Sequence, residues 1–201
     1  MNNRHNNELG NEKISSLLFR MAVPAITAQI INLLYNLVDR MYIGHIDGVG
    51  ATALTAVGVT MPVIMVISAF AALVSMGGAP RASIMMGKGD KDSAEKIMGN
   101  CTTAHVFISA VLTAAVLLFG ENMLMAFGAS ENTVGYALDY MNIYACGTIF
   151  VQIALGLNAF ITAQGFAKIS MITVLVGAVL NIILDPIFIF GLDMGVKGAA
   201  L

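Results

Sequence analysis

The chain has 201 residues, of which 58% are hydrophobic and 11% are charged. A soluble domain typically has about 45–50% apolar and about 25% charged residues, so the composition excludes an ordinary soluble protein and predicts an integral membrane protein. The formal net charge of −2 gives no sign of a nucleic-acid partner. Both cysteines, Cys101 and Cys146, lie in apolar segments. We interpret them as small core residues, since two unclustered cysteines indicate neither a disulfide nor a metal site.

Five stretches contain the roughly 20 mainly apolar residues that a membrane-spanning helix needs. They cover residues 17–43, 51–79, 97–120, 136–164 and 169–191, and a sixth stretch begins at about residue 198. The predicted fold is therefore all-α, with a polar tail over residues 1–16 and a transmembrane domain over residues 17–201. Because the sixth stretch has only begun at Leu201, we expect the chain to be part of a longer protein.

The basic residues predict the orientation of the chain. Those on one side of the five spans are Arg4, Lys13, Arg20, Arg81, Lys88, Lys91, Lys96 and Lys168, and those on the other are Arg40 and Lys197. The positive-inside rule therefore predicts a cytoplasmic N-terminus in a multi-pass protein of the cell membrane.

The charged connection between the second and third spans contains Asp92 and Ser93 shortly before the third span. Aspartate and serine are favoured at helix N-caps, because their side-chain oxygens accept from free backbone N–H groups. We therefore predict Asp92 or Ser93 as the N-cap of the third helix.

Asp185 is the only ionisable residue between Lys168 and Asp193, in the middle of an apolar run. An acid inside a spanning helix costs roughly 2.5–3.5 kcal/mol on insertion scales and by default marks a functional group that faces a cavity. Asn181 lies one turn earlier on the same helical face. Pro186 lacks an N–H, so it leaves one carbonyl of the preceding turn without its partner, and we predict a hinge there.

A second acid, Asp39, ends a polar stripe on the first helix. The stripe is formed by Gln29, Asn32, Asn36 and Asp39, in steps of 3, 4 and 3 residues that place them on one helical face. Tyr35 lies beside this stripe, and Pro24 predicts a second hinge near the start of the helix. At about 1.5 Å per residue, Asp39 is roughly 28 Å beyond Arg20 and Asp185 roughly 26 Å beyond Lys168, so the two acids are predicted to reach a similar depth in the membrane.

The segments after the two acids also follow the same order. Each has an acid near the end of a helix, then a glycine, an aspartate, and a Gly-Ala pair that begins a new helix. The pairs are Gly50-Ala51 and Gly198-Ala199. Internal repeats are common in transporters, although hairpin chemistry alone explains the pattern nearly as well.

The chain resembles the N-terminal lobe of multidrug and toxic compound extrusion (MATE) transporters over nearly all of its length. The resemblance is carried by Pro24, by Tyr35-Asn-Leu-Val-Asp39-Arg-Met-Tyr-Ile-Gly44, by the loop from Gly78-Ala-Pro-Arg-Ala-Ser to Gly87-Lys-Gly-Asp, and by Asn181-x-x-x-Asp185-Pro186. It implies a fold of twelve helices in two six-helix lobes around a central cavity, with no enzymatic activity and no cofactor. The second lobe would come from the same chain or from a second copy.

The resemblance also implies the export of amphipathic, mostly cationic small molecules, driven by inward Na⁺ or H⁺. Carried over onto this sequence, the residues that couple the cation, or hold Na⁺, are Asp39, Asn181 and Asp185. The predicted cavity residues are Gln29, Asn32, Tyr35, Asn36, Tyr140 and Asn158.

Structural interpretations of the same residues stay open. Asp39 and Asp185 would then satisfy neighbouring backbone groups, the amides of the stripe would join helices at about 0.6 kcal/mol each, and Tyr35 and Tyr140 would sit in the membrane interface. Two functional alternatives are a lipid-linked oligosaccharide flippase, which needs a more basic cavity, and a self-associating lobe without transport activity. An intramembrane aspartyl protease usually has Gly-x-Gly-Asp, which neither acid has here.

Overall fold

The computed structural model describes residues 14–201, and all of the regular structure in that range is helical. The prediction of a polar tail falls mostly on residues 1–13, which lie outside the described residues. The helices are α1 (Ile14–Gly44), α2 (Gly50–Gly87), α3 (Lys91–Ala126), α4 (Val134–Ala163), α5 (Ala167–Pro186) and the single turn α6 (Val196–Ala199), and a π-helical turn at Ile187–Gly191 follows α5.

Within the described residues, five helices are long and apolar enough to cross a membrane. Large apolar side chains cover their outer surfaces, such as Leu73 at 68% and Phe150 at 75% exposure. This is the distribution expected where the surrounding solvent is lipid, because lipid tails are as apolar as leucine. The predicted all-α membrane fold is confirmed.

The connection between α2 and α3 differs from its prediction. Asp90 is the N-cap of α3, and its side chain accepts a hydrogen bond from the Ser93 backbone N–H at 3.0 Å. The prediction of Asp92 or Ser93 is therefore wrong, because α3 begins two residues earlier than an Asp92 cap requires. Hydrogen bonding from the side chain and backbone of Ser93 lowers the pKa of the exposed Asp90 carboxyl.

Helices α2, α3 and α4 pack against one another along their length, and we call them the three-helix unit. Their shared core contains Ile67, Val116 and Met141, each at most 3% exposed. The prediction that both cysteines are core residues is half wrong. Cys101 is half-buried, but Cys146 is exposed, because it lies on the outer surface of α4. Both are free thiols.

The two helices that carry the acids form a separate element. Helix α1 packs mainly against α5 and much less against α2, and α5 has few contacts with α4. We call them the α1–α5 pair. The chain is therefore built from a three-helix unit and a two-helix pair that lies along it, and both Asp39 and Asp185 belong to the pair.

Both helical hairpins that follow the acids close on a glycine. A Cβ on Gly50 would overlap the backbone of Gly44, and a Cβ on Gly198 would overlap the backbone of Phe188 and Ile189. Glycine is the residue that lets two backbone segments approach so closely. The two Gly-Ala pairs of the sequence thus make the same kind of contact at the same place in each hairpin.

Candidate functional site

Asp185 is buried within the α1–α5 pair, with 3% of its surface exposed. Its Oδ1 accepts a hydrogen bond from the Asn181 amide at 3.0 Å, as their spacing of four residues on one helix allows. Its Oδ2 is also buried and has no hydrogen-bond partner within residues 14–201. A carboxylate that is half satisfied in this way leaves one oxygen open to a bound cation or proton.

Asp39 lies on α1 and is half-buried. It interacts electrostatically with Asp185, and also with the neighbouring Arg40. Its Oδ1 is buried without a partner among the described residues, and the same holds for Oδ1 of Asn181. The three residues predicted to couple the cation thus each have one buried oxygen that no other residue of the described range bonds.

Two tyrosines lie beside the acids. Tyr35 of α1 and Tyr140 of α4 each interact electrostatically with both Asp39 and Asp185. Tyr140 is only 8% exposed, and its ring stacks on Tyr144 with 6.4 Å between the centroids and 13° between the planes. Our sequence analysis missed Tyr144, although its spacing of four residues from Tyr140 places it on the same face of α4.

Among residues 14–201, no hydrogen bond joins the other predicted cavity residues to Asp39 or Asp185. Asn36 donates to the backbone carbonyl of Asn32 at 2.7 Å, so this pair forms a bond within α1. Gln29 is exposed. Asn158 donates to the Thr173 hydroxyl at 3.3 Å, which joins α4 to α5, and its Oδ1 is buried without a described partner.

The two predicted hinge prolines lie in different surroundings. Pro24 is buried in α1, which stays helical through it. Pro186 is the last residue of α5, and the chain continues directly into the π-helical turn, in which Leu192 N–H donates to Ile187 O at 2.8 Å. Such turns are rare and occur often at functional sites. The π-helical turn thus begins two residues after Asp185.

The donor set is typical of a site for a hard cation. Carboxylate and amide oxygens suit hard cations, whereas the soft transition metals favour sulfur and imidazole. Within the described residues, no group of three or more histidine, cysteine or acidic side chains could hold a metal ion. The two carboxylates can take up a proton, and together with the open amide oxygen they can coordinate a monovalent cation.

Comparison with known proteins identifies the family. A model of the MatE family matches residues 24–187, and this range includes every predicted coupling, cavity and hinge residue. The chain belongs to the MatE family. This MatE chain is similar to the multidrug export protein MepA of Staphylococcus haemolyticus (strain JCSC1435), with 29% identity over 188 residues.

Solved structures show the same relationship. A MATE transporter crystallised in the bent conformation has 28% identity, a TM-score of 0.87, and 97% of this chain aligned. A MATE transporter in the straight conformation has 28% identity, a TM-score of 0.86, and 96% of this chain aligned. The MepA match covers 94% of this chain but 41% of MepA, and the two structural matches cover 43% and 42% of the solved chains. The MatE chain thus spans about two fifths of the relatives it matches, and these relatives are transporters rather than enzymes.

Proposed function

We propose that this MatE chain is the N-terminal lobe of a secondary transporter that exports amphipathic, mostly cationic drugs in exchange for Na⁺ or H⁺. The observation that carries the proposal is the pair of carboxylates in membrane-spanning helices, of which Asp185 is 3% exposed and leaves Oδ2 without a described partner. A carboxylate inside a membrane-spanning helix is costly unless it binds a ligand, so the presence of Asp185 there favours a coupling role. MepA is named as a multidrug export protein, which supports the substrate class.

Exchange would follow from competition for the same negative charge. Asp39 and Asp185 would attract both a cationic drug and a coupling cation. Binding of either one would lower the affinity of the protein for the other. Such coupling is reciprocal, so uptake of Na⁺ or H⁺ weakens a bound drug by the same factor by which the drug weakens the cation. Tyr35 and Tyr140 would contact the drug, with Gln29, Asn32, Asn36 and Asn158 further along the cavity.

Alternating access requires at least two conformations in which the acids face different sides. The chain is about equally similar to MATE structures in straight and bent conformations, with TM-scores of 0.86 and 0.87. We assign the hinges to Pro24, where α1 lacks one backbone donor, and to Pro186, which precedes the π-helical turn.

The second lobe would come from the same chain or a second copy. The proposed domains are a cytoplasmic tail over residues 1–16 and the membrane lobe over 17–201 of a cell-membrane protein.

The test is drug efflux by the Asp185→Asn variant. Cells that produce the protein are loaded with ethidium, and its efflux is followed after energisation. Asp193→Asn is the matched control, because Asp193 is an exposed acid only eight residues further along the chain. We expect Asp185→Asn to abolish efflux at unchanged membrane abundance and Asp193→Asn to leave it intact.

Efflux by Asp185→Asn at the wild-type rate would overturn the coupling role. Wild-type protein that moves no ethidium but does move a lipid-linked oligosaccharide would replace export with the flippase alternative. An assembly that carries neither would point to the alternative of a self-associating lobe without transport.

A further inference from the structure

The middle of the three-helix unit contains a buried polar network that the coupling site does not use. His105 of α3 is fully buried between Gln152 of α4 and Ser75 of α2, which are 0% and 3% exposed. His105 Nδ1 lies 3.1 Å from Gln152 Oε1, and Nε2 lies 3.4 Å from Ser75 Oγ. One side chain thus contacts polar groups on both neighbouring helices.

The hydrogen bonds around Gln152 define the direction of the network. Gln152 Nε2 donates to the backbone carbonyl of Ile67 in α2 at 2.8 Å, so its Oε1 is turned towards His105 and accepts from Nδ1–H. Ser75 donates to the Ala71 carbonyl of its own helix at 2.7 Å. Gln152 therefore bridges α2 and α3 from α4, and both ends of its amide are satisfied.

The packing around the network leaves no room for sliding. A Cβ on Gly156, one turn after Gln152, would overlap the His105 ring. Similarly, a Cβ on Gly78 of α2 would overlap Cys101 of α3 and Phe160 of α4. Protein interiors packed this closely transmit displacement rather than absorb it. Polar bonds and close glycine contacts thus hold α2, α3 and α4 in one register.

Ile43 of α1 and Ile189 of the π-helical turn after α5 pack with Val57 and Tyr140 of the three-helix unit in one buried apolar cluster. Apolar packing of this kind has no directional bonds.

The hydrogen bonds between the three-helix unit and the α1–α5 pair are weaker than those around Gln152. On the α1 side, Arg40 Nη2 donates to the Met61 sulfur at 3.2 Å. On the α5 side, Asn158 and Thr162 bond the exposed or half-buried hydroxyls of Thr173 and Ser170 at 3.3 and 2.9 Å. Thioethers are weak acceptors, and the Asn158–Thr173 bond is exposed.

We propose that His105 and Gln152 are positioning residues that lock α4 to α2 and α3, so that Tyr140 stays in place while the α1–α5 pair moves beside it. Gln152 lies twelve residues after Tyr140 on α4, so loss of the lock shifts the tyrosine relative to Asp39 and Asp185. The role in transport rests on the proposed function, whereas the lock itself is a property of the three-helix unit.

The experiment removes the bridge without changing the shape of the side chain. Gln152→Met keeps the length of the residue and removes both hydrogen bonds. Thr148→Val is the matched control, because Thr148 is also fully buried on α4 but its hydroxyl donates to the Tyr144 carbonyl of its own helix. The protein is reconstituted with nitroxide labels at Leu73 and Phe150, in a background without native cysteines, and the distance between the labels is measured by pulsed electron paramagnetic resonance.

We expect one narrow distance distribution in the wild type and in Thr148→Val, with and without ethidium, and a broadened one in Gln152→Met. In ethidium transport, Gln152→Met raises KM about tenfold, which corresponds to roughly 1.4 kcal/mol of lost binding free energy. The maximal rate stays at its wild-type level, because the lock acts on binding of the substrate. A merely structural role would lower the amount of folded protein and leave KM unchanged.

A wild-type distance distribution in Gln152→Met overturns the lock, and a broadened distribution with unchanged KM overturns the positioning role. If Gln152→Met does not fold, His105→Leu combined with Gln152→Leu replaces it, because exchanging both partners for apolar groups leaves no buried polar group unpaired. The label distances and the KM of this double variant then test the lock and the positioning role in the same way. Wild-type protein with narrow distances but no ethidium transport would contradict the proposed function and leave the lock supported.

Discussion

Asn181 donates a hydrogen bond to one oxygen of the Asp185 carboxylate at 3.0 Å, while the second oxygen of that carboxylate is buried without a partner among residues 14–201. The amide holds the carboxylate in one orientation, and the open oxygen remains for a ligand. In this arrangement Asn181 orients Asp185 and offers its own Oδ1 to the same ligand.

Replacement of Asn181 should therefore weaken binding of the coupling cation more than binding of the drug. For Asn181→Ala we expect the apparent affinity for Na⁺ or H⁺ to fall about 10–100-fold, the usual effect of removing a residue that orients a ligand. The measurement is the rate of ethidium efflux as a function of the Na⁺ concentration and the outside pH. Asn142→Ala, at an exposed position of α4, is the control. Equal loss in both variants would contradict the role of Asn181.

Close backbone packing at Gly198 predicts a loss of stability. For Gly198→Ala we expect the free energy of unfolding to fall by about 1–3 kcal/mol, because the new Cβ overlaps the backbone of Phe188 and forces a shift. Gly177→Ala is the matched control, since a Cβ there meets open space in the middle of α5. Thermal unfolding in detergent compares the two variants. A Gly198→Ala variant as stable as Gly177→Ala would show that the hairpin is not closely packed.

The Asp90 cap predicts a contribution that depends on pH. Its folded-state pKa is lowered, so the charged form stabilises the N-terminus of α3 at pH values above the ordinary aspartate pKa of about 3.9. That contribution is lost as the pH falls through the lowered pKa. We expect Asp90→Ala to lower Tm at neutral pH and to differ less from the wild type in acid. Asp90→Asn keeps a cap of similar quality, so it should stay near the wild type at neutral pH.

The proposed orientation predicts which loops face which side. In a cysteine-free background, a cysteine that replaces Lys88, between α2 and α3, should react with an impermeant thiol reagent only from the cytoplasmic side. A cysteine that replaces Lys197, at the start of α6, should react only from outside. Labelling of intact cells and of inverted vesicles distinguishes the two. The opposite pattern would reverse the proposed topology.

Composition and helical spacing predicted the features that depend on one helix at a time. The five membrane helices follow from long apolar runs, and the Asn181–Asp185 hydrogen bond follows from a spacing of four residues. The proximity of Asp39 to Asp185 was expected from their similar depth. The electrostatic interaction between them arises because α1 and α5 pack against each other.

Features that depend on three helices, or on the face that a helix presents, could not be predicted in the same way. His105 meets Ser75 and Gln152 over sequence separations of 30 and 47 residues, and no local pattern indicates such a meeting. Cys146 lies in an apolar segment, but in a membrane protein apolar residues face both the core and the lipid. Tyr144 was predictable from its spacing to Tyr140 and was missed.

The central claim is that an organic cation and the coupling cation compete at Asp39 and Asp185. The most direct measurement is the Kd of tetraphenylphosphonium for the purified protein, by calorimetry, as the Na⁺ concentration and the proton concentration are raised in turn. The predicted result is a Kd that rises with one of these cations in the wild type and no longer responds in Asp39→Asn combined with Asp185→Asn. A wild-type Kd that changes with neither cation, or a double-variant Kd that changes as much as the wild-type Kd does, would contradict the claim.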